Sequence, residues 1–160
     1  MVYIFVEGLD DENFVNAVIP DIDKIIRYKS MPEEKVLSYI QTFVGMNKEI
    51  IYFVDLDNHD KNGVIKTVKK KFNIDESTIV VVIKEIECWY LAGLKESDRI
   101  KLKIKKAPFD TSPLDKEKIN SLSKKKHSEL LIDLLSVFDK TTALKRNESF
   151  KEFYNTHLLR

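Results

Sequence analysis

The chain has 160 residues, 43% of them hydrophobic and 33% charged, which predicts one folded domain and excludes a disordered chain. Its one cysteine excludes a disulfide scaffold, and no apolar run approaches the roughly 18 residues of a membrane span, so we predict a cytoplasmic protein without a membrane partner. Residues 1–60 carry a net charge of −7 and residues 61–160 one of +8. An acidic centre beside a basic surface suits a divalent cation and a polyanion, although ordinary surface charge explains it equally well.

Strands and helices alternate in the first half of the chain. Buried strands are predicted at residues 2–6, 49–54 and 79–83, where apolar runs rich in β-branched and aromatic residues occur, and residues 25–28 are a further strand candidate with a weaker pattern. Apolar residues at helical spacing lie between them, and Asp10 and Asp60 are placed to cap two of the helices. Such alternation predicts right-handed crossovers and a parallel sheet that is covered on both faces.

The pattern changes after residue 87. Trp89, Tyr90 and Leu91 indicate a helix, and two further helices are expected around Leu130 and Phe150. The segment from Arg99 to Lys105 alternates between charged and apolar residues, which predicts a half-exposed strand with one basic face. We therefore expect residues 1–160 to form a single domain, with a core of about residues 1–94 and a C-terminal elaboration of about residues 95–160.

Acidic residues follow three of the predicted strands. Glu7 follows the first, Asp55 and Asp57 follow the third, and Glu85 and Glu87 follow the fourth. Because the carboxyl ends of parallel strands lie along one edge of a sheet, these side chains are expected at a common rim. Carboxylates without a histidine or cysteine ligand pattern select Mg²⁺ or Mn²⁺ over zinc, and Asp55 and Asp57 can share one ion or bridge two.

The order of these motifs resembles the Toprim domain. Val6–Asp11 is similar to the first Toprim motif and Val54–Asp57 to the second, over about the first 85 residues. That domain is the catalytic module of topoisomerases, bacterial-type primases and the overcoming-lysogeny-defect nucleases. Ile86–Ala92 and Asn147–Phe150 are similar to segments of small uncharacterised Toprim-like proteins near that nuclease branch.

The resemblance implies a three-layer α/β Toprim/Rossmann-like fold with a mainly parallel four-stranded sheet and a helical C-terminal extension. It also implies that Glu7 is the general acid/base and that Asp55 and Asp57 hold Mg²⁺. Gly8, Asp10 and Asp11 are the turn residues of the first motif. The downstream acids Glu87 and, less directly, Glu85 match the extra acid of the nuclease branch and would allow a second metal. The chain is too short for a topoisomerase body, and residues 58–60 lack the small follow-on residues of primases, which leaves a nuclease or a non-catalytic relative.

Basic residues in the second half are candidates for phosphate contacts. They are Arg99, Lys101, Lys103 and Lys105 on the predicted strand, and Lys124, Lys125 and Lys126 further on. Lysines on an edge strand also protect against edge-to-edge pairing. The lysines at positions 66, 69, 70 and 71 fit a solvated helix face better than a nucleic-acid patch.

Three functions are compatible with these residues. The first is Mg²⁺-dependent phosphodiester chemistry on nucleic acid by a small nuclease, and the second is a non-catalytic module that binds nucleic acid, a protein partner or a second copy of itself. The third is a receiver-type signalling domain with Asp10, Asp11, Asp55 and Lys84 as its acid pair, phosphoacceptor and lysine. In that domain the acid pair follows the strand directly, whereas here Glu7, Gly8 and Leu9 intervene.

Overall fold

The computed structural model describes residues 2–159, which divide after Val82 into two compact units. Unit 1 comprises residues 2–82 and unit 2 residues 83–159. The core boundary that the sequence suggested, near residue 94, falls inside unit 2. None of the described helices combines the length and the apolar character that crossing a bilayer requires.

Unit 1 is an α/β structure with a four-stranded, all-parallel sheet, as the sequence predicted. Its elements are β1 (Val2–Val6), α1 (Leu9–Val18), β2 (Ile22–Arg27), α2 (Glu33–Gly45), β3 (Glu49–Asp55), α3 (Lys61–Phe72) and β4 (Ile79–Val82), with short 3₁₀ helices at Tyr28–Ser30 and Glu76–Thr78. The strand order is β2-β1-β3-β4, and every neighbouring pair is parallel. This arrangement is Rossmann-like.

The strand order determines which face each helix covers. The chain moves from β1 to β2 in one direction across the sheet, and from β2 to β3 and β4 in the other. Right-handed crossovers therefore put α1 on one face and both α2 and α3 on the other, which makes three layers. Phe5, Ile26 and Tyr52 accordingly share a core cluster with Ile40 of α2 and Phe72 of α3. A fully buried side chain of this size stabilises the fold by about 1.5–3 kcal/mol.

Two helix starts in unit 1 depend on acidic side chains. The prediction that Asp10 caps α1 is wrong: the N-cap residue is Gly8, in extended backbone, and the buried Asp11 carboxylate accepts a hydrogen bond from the Gly8 N–H at 3.1 Å. Gly8 leads into the helix directly, so Asp10 falls within the first turn. At α3 the predicted cap is confirmed, because Asp60 Oδ2 accepts a hydrogen bond from the Gly63 N–H at 2.8 Å.

Unit 2 is helical. Its elements are α4 (Glu87–Ala92), α5 (Glu96–Lys101), α6 (Lys116–Asn120), α7 (His127–Ser136), α8 (Lys140–Arg146), α9 (Glu148–Phe153) and a π-helical turn at Tyr154–Leu158. The helices expected around Trp89, Leu130 and Phe150 are confirmed. The Trp89 ring lies 5.3 Å from those of Phe150 and Phe153, and all three side chains are buried, so aromatic packing forms part of the core.

The predicted strand from Arg99 to Lys105 is wrong. Residues up to Lys101 belong to α5, and the chain then reverses at Lys103, whose φ is 56°. The Ile104 N–H bonds to the Arg99 carbonyl and the Lys103 N–H to the Ile100 carbonyl, which is the Schellman ending of a helix. Ile100 is 63% exposed whereas Ile104 is 2% exposed, so these apolar residues do not share the single face that a strand would give them.

Candidate functional site

The candidate site lies between β1 and β3, the two neighbouring strands from which the chain continues in opposite directions across the sheet. β1 and β3 are neighbours, but the chain leaves β1 toward β2 and leaves β3 toward β4. In open α/β sheets such a switch point opens a crevice outside the carboxyl ends of the two strands, and ligands bind there. Glu7 directly follows β1 and Asp55 is the last residue of β3, so two of the predicted acids stand at the crevice.

Three groups from different parts of unit 1 contact the Glu7 carboxylate. The Asp55 N–H donates to Oε1 at 3.4 Å, and the Tyr28 hydroxyl lies 3.3 Å from the same oxygen. The Lys29 ammonium forms an ion pair with Oε2. The Glu7 side chain is only 12% exposed, so it is held in a defined orientation at the end of β1.

Tyr28 links Glu7 to the sheet. Its hydroxyl lies 3.0 Å from the Phe53 carbonyl oxygen, and its ring stacks on the Tyr52 ring with centroids 4.7 Å apart. Burial, followed by the neighbouring Tyr52 and Glu7, raises the pKa of Tyr28 above its ordinary value of 10.0. The hydroxyl therefore keeps its proton throughout the neutral range and remains a donor.

The charge of Lys29 is influenced by three of the predicted acids. A hydrogen bond to Glu7 raises the pKa of Lys29, burial opposes this, and the negative charges of Glu7, Asp55 and Asp57 add to the rise. Lys29 is thus an ammonium ion at neutral pH. The three carboxylates that the sequence assigned to one rim all act on this one positive charge.

Asp57 reaches this region through a turn. β3 ends at Asp55, the Leu56 N–H then bonds to the Val82 carbonyl at 2.8 Å, and Asp57 has a φ of 50° in a turn closed by the His59 N–H. The side-chain alternation of a strand therefore does not extend to Asp57, contrary to the geometry assumed from the sequence. Aspartate is among the few non-glycine residues that adopt this backbone conformation readily.

Asp55 and Asp57 are the candidate ligands for a divalent cation. Asp55 is half-buried, Asp57 is exposed, and both offer the hard carboxylate oxygens that Mg²⁺ and Mn²⁺ prefer. Asp55 and Asp57 would be the ligands, since both Glu7 oxygens have partners within the protein.

The two downstream acids have partners within unit 2. Glu85 accepts a hydrogen bond from the Lys116 N–H at 2.6 Å, at the start of α6. Glu87 is 5% exposed, and its Oε1 lies 3.3 Å from Lys116 Nζ and 3.6 Å from His127 Nε2. The other ring nitrogen of His127 lies 2.8 Å from Asn120 Oδ1. No sequence pattern singles out Lys116 or His127. A metal-binding role for Glu85 and Glu87 stays a prediction.

The two distal motifs meet in the core of unit 2. The Trp89 indole N–H donates to Ser149 Oγ at 2.8 Å, and the Asn147 amide donates to Cys88 Sγ at 3.2 Å and to Thr111 Oγ1 at 3.1 Å. These groups are buried and hydrogen-bonded to one another, so the two distal motifs stabilise the core of unit 2. Because its side chain is fully buried, Trp89 cannot stack on a nucleobase.

The basic candidates differ in how free their charges are. The Arg99 guanidinium is held by Glu96 and by the Ile104 carbonyl, so its donors are used within the protein. Two candidate lysines form ion pairs, Lys101 with Asp98 and Lys125 with Asp133. The other candidates, Lys103, Lys105, Lys124 and Lys126, are exposed.

No model of a protein family matches the chain, and no curated protein or solved structure matches it either. The likeness to the Toprim domain therefore rests on the motif residues alone and stays a prediction. The parallel sheet and the acids at its switch point are observations that stand independently of that likeness.

Proposed function

We propose that the protein hydrolyses nucleic-acid phosphodiester bonds with the help of a divalent cation, as a small Toprim-type nuclease. One observation carries the proposal: Glu7 and Asp55 meet at the switch point of a parallel sheet, where the Asp55 N–H bonds to the Glu7 carboxylate at 3.4 Å, and Asp57 follows two residues on. A crevice with hard oxygen ligands and a fixed carboxylate can bind a metal and move a proton, which are the two requirements of metal-assisted hydrolysis.

Each residue has a distinct part in this reaction. Asp55 and Asp57 would hold Mg²⁺ or Mn²⁺, which supplies positive charge to the phosphate oxygens when bound. Glu7 is the general acid/base: Tyr28 and the Asp55 N–H fix Oε1, and Oε2 exchanges a proton with water when the Lys29 ammonium moves away from it. Lys29 is 65% exposed at its side chain, so its ammonium can turn from Oε2 toward a phosphate.

Calorimetric titration with Mn²⁺ tests the metal site directly. The unmodified protein is expected to bind Mn²⁺, and the Asp55→Asn, Asp57→Asn double variant is expected to lose that binding while circular dichroism shows that it stays folded. Cleavage is then assayed on single- and double-stranded DNA and RNA with Mg²⁺ or Mn²⁺. Glu7→Gln should abolish cleavage, whereas Glu34→Gln, an exposed carboxylate at the start of α2, should leave it unchanged.

A second candidate is a non-catalytic module that binds nucleic acid or a protein. It is supported by the Glu7–Lys29 ion pair, because a carboxylate neutralised by a resident ammonium has less need of a metal. Salt-dependent binding of nucleic acid that survives loss of Asp55 and Asp57, together with absence of cleavage, would favour this candidate.

The receiver-type alternative has less support. Asp11 is buried and accepts a hydrogen bond from the Gly8 N–H, so one member of the acid pair serves the start of α1. Labelling of Asp55 by a small phosphodonor would revive this alternative.

A further inference from the structure

A single phenylalanine of unit 2 projects into solvent. Phe109, in the loop between α5 and α6, is 68% exposed and is the only mostly exposed phenylalanine in the part of the chain that the structure describes. An exposed aromatic ring of this size forgoes the stabilisation that burial would give it. Its position therefore invites a functional explanation.

The backbone beneath Phe109 is held rigidly. The Arg146 guanidinium donates to the Phe109 carbonyl at 3.0 Å and to the Pro108 carbonyl at 3.1 Å, and it also reaches two carbonyls at the end of α4. Just past the phenylalanine, the Thr111 N–H donates to the Arg146 carbonyl at 2.8 Å. One arginine thus clamps the loop while the ring stays free, and a platform held in this way loses little entropy when it binds.

Phe109 lines two open cavities. One, of about 360 Å³, is also lined by Leu94, Ala107, Lys106 and Glu96, and Glu96 is paired with Arg99. The other, of about 500 Å³, is also lined by Lys145 and Lys151 and by the acids Asp110 and Glu148. The apolar walls and lysines suit a ligand that has both a flat ring and negative charges.

The charge around the loop is positive overall. Residues 96–110 include five Lys/Arg and three Asp/Glu, and two of those acids, Glu96 and Asp98, pair with Arg99 and Lys101. Arg99 and Arg146 are engaged within the protein, but Lys105, Lys106 and Lys145 are exposed. A row of exposed lysines complements a polyanion, which favours nucleic acid over an ordinary protein surface as the ligand.

We propose that Phe109 is a stacking platform for an unpaired nucleobase, and that Lys105, Lys106 and Lys145 contact the phosphates of the same single strand. Bases stack on aromatic rings without regard to sequence, so the site would accept single-stranded DNA or RNA. The inference builds on the proposed function, because it names the strand type of the nucleic acid. It also applies to the non-catalytic alternative, since it requires no metal.

Fluorescence anisotropy with labelled oligothymidylate and oligouridylate of about 12 nucleotides tests the site, because single-strand sites cover about 4–16 nucleotides. EDTA prevents metal-dependent cleavage and low salt strengthens phosphate contacts, so binding is measured independently of hydrolysis. Phe109→Ala should weaken binding about 10-fold or more. Ile132→Ala, a matched loss of a 67%-exposed apolar side chain on α7, should leave binding unchanged.

Phe109→Trp supplies a direct signal of stacking. The chain has one tryptophan, Trp89, which is fully buried, so the new indole would be the exposed one. We expect this variant to bind with the affinity of the unmodified protein and its added fluorescence to be quenched by the bases. Both Phe109 variants alter an exposed side chain, and circular dichroism should show them folded.

Two results would overturn the proposal. One is Phe109→Ala binding both oligonucleotides within twofold of Ile132→Ala, which would show that the ring makes no contact with a base. The other is failure of the unmodified protein to bind either oligonucleotide at low salt, which would leave the exposed ring to a protein partner. Neither result bears on Mn²⁺ binding at Asp55 and Asp57, so the metal site is judged separately.

Discussion

The hydroxyl of Tyr28 connects the sheet to the carboxylate of Glu7, the candidate catalytic residue. It lies within hydrogen-bond distance of both Glu7 Oε1 and the Phe53 carbonyl, and its ring stacks on Tyr52. A partly buried hydroxyl that lies near two acceptors contributes to stability and helps to fix the Glu7 side chain. The same group therefore has a structural effect and, under the proposed function, a positioning effect.

Tyr28→Phe should lower the free energy of unfolding by about 0.5–1.5 kcal/mol, because the variant keeps the ring but loses the hydroxyl hydrogen bond. Urea denaturation followed by circular dichroism measures this. Tyr39→Phe is the matched control, since the Tyr39 ring packs on Phe43 in the same unit. Equal stability of the two variants would show that the Tyr28 hydroxyl contributes nothing.

At position 93, at the end of α4, the nearby Phe138 ring leaves no room for a side chain larger than that of glycine. A Cβ at this position would lie 2.3–2.8 Å from the ring atoms of Phe138, although the φ of −78° suits any residue. Gly93→Ala should therefore destabilise the protein by about 1–3 kcal/mol through overpacking, as measured by urea denaturation. Gly45→Ala is the control, because a Cβ there meets no atom within 4 Å, and it should be neutral or slightly stabilising.

The candidate site was partly predictable from the sequence. Glu7, Asp55 and Asp57 were found because each stands at or just beyond the end of an apolar run, and parallel strands bring such ends together. Tyr28 and Lys29 were not found, although they follow β2 and reach the same rim. A tyrosine and a lysine after a strand carry no distinctive pattern, so only the tertiary contacts identify them.

At the scale of elements, α8 depends on one acidic cap. Asp139 Oδ1 accepts hydrogen bonds from the Thr142 hydroxyl at 2.6 Å and the Thr142 N–H at 2.8 Å, and Oδ2 pairs with Lys95. The Thr142 hydroxyl and then Lys95 lower the pKa of Asp139 from 3.8 to about 2. Because folding favours the charged form, this stabilisation is complete above pH 3.8 and is lost as the pH falls through about 2.

Asp139→Ala should accordingly be less stable than the unmodified protein at pH 7, and the difference should shrink below pH 4. Urea midpoints measured at a series of pH values give the comparison. Glu129→Gln replaces an exposed carboxylate on α7, and its stability relative to the unmodified protein should not change with pH in this way. A difference for Asp139→Ala that stays constant down to pH 2 would contradict the role of the charged cap.

Strand prediction was most accurate where burial is uniform. The strands β1, β3 and β4 are marked by apolar runs, whereas the edge strand β2 contains charged residues and was predicted three residues late, at residues 25–28. The segment from Arg99 to Lys105 alternates like a strand, but tertiary contacts override the pattern. Arg99 pairs with Glu96 one helical turn away, and Ile104 is buried only after the chain reverses. Alternation over seven residues cannot reveal such a reversal.

At the scale of the whole molecule, charge divides between the two units. Residues 1–82 contain 10 Lys/Arg and 14 Asp/Glu, whereas residues 83–160 contain 17 and 12. The candidate metal ligands belong to the acidic unit, and the proposed stacking platform to the basic one. Such a division suits a protein that concentrates a cation in one unit and a polyanion on the other.

This division predicts where the salt dependence of oligonucleotide binding originates. Lys105→Gln combined with Lys106→Gln should reduce the slope of log K against log salt by about 1.4, because each phosphate contact on a single strand contributes about 0.7. Lys66→Gln combined with Lys70→Gln removes the same charge from the exposed face of α3 and should leave the slope unchanged. Equal reductions in the two double variants would mean that binding follows net charge alone, and a local phosphate contact at the loop would then be excluded.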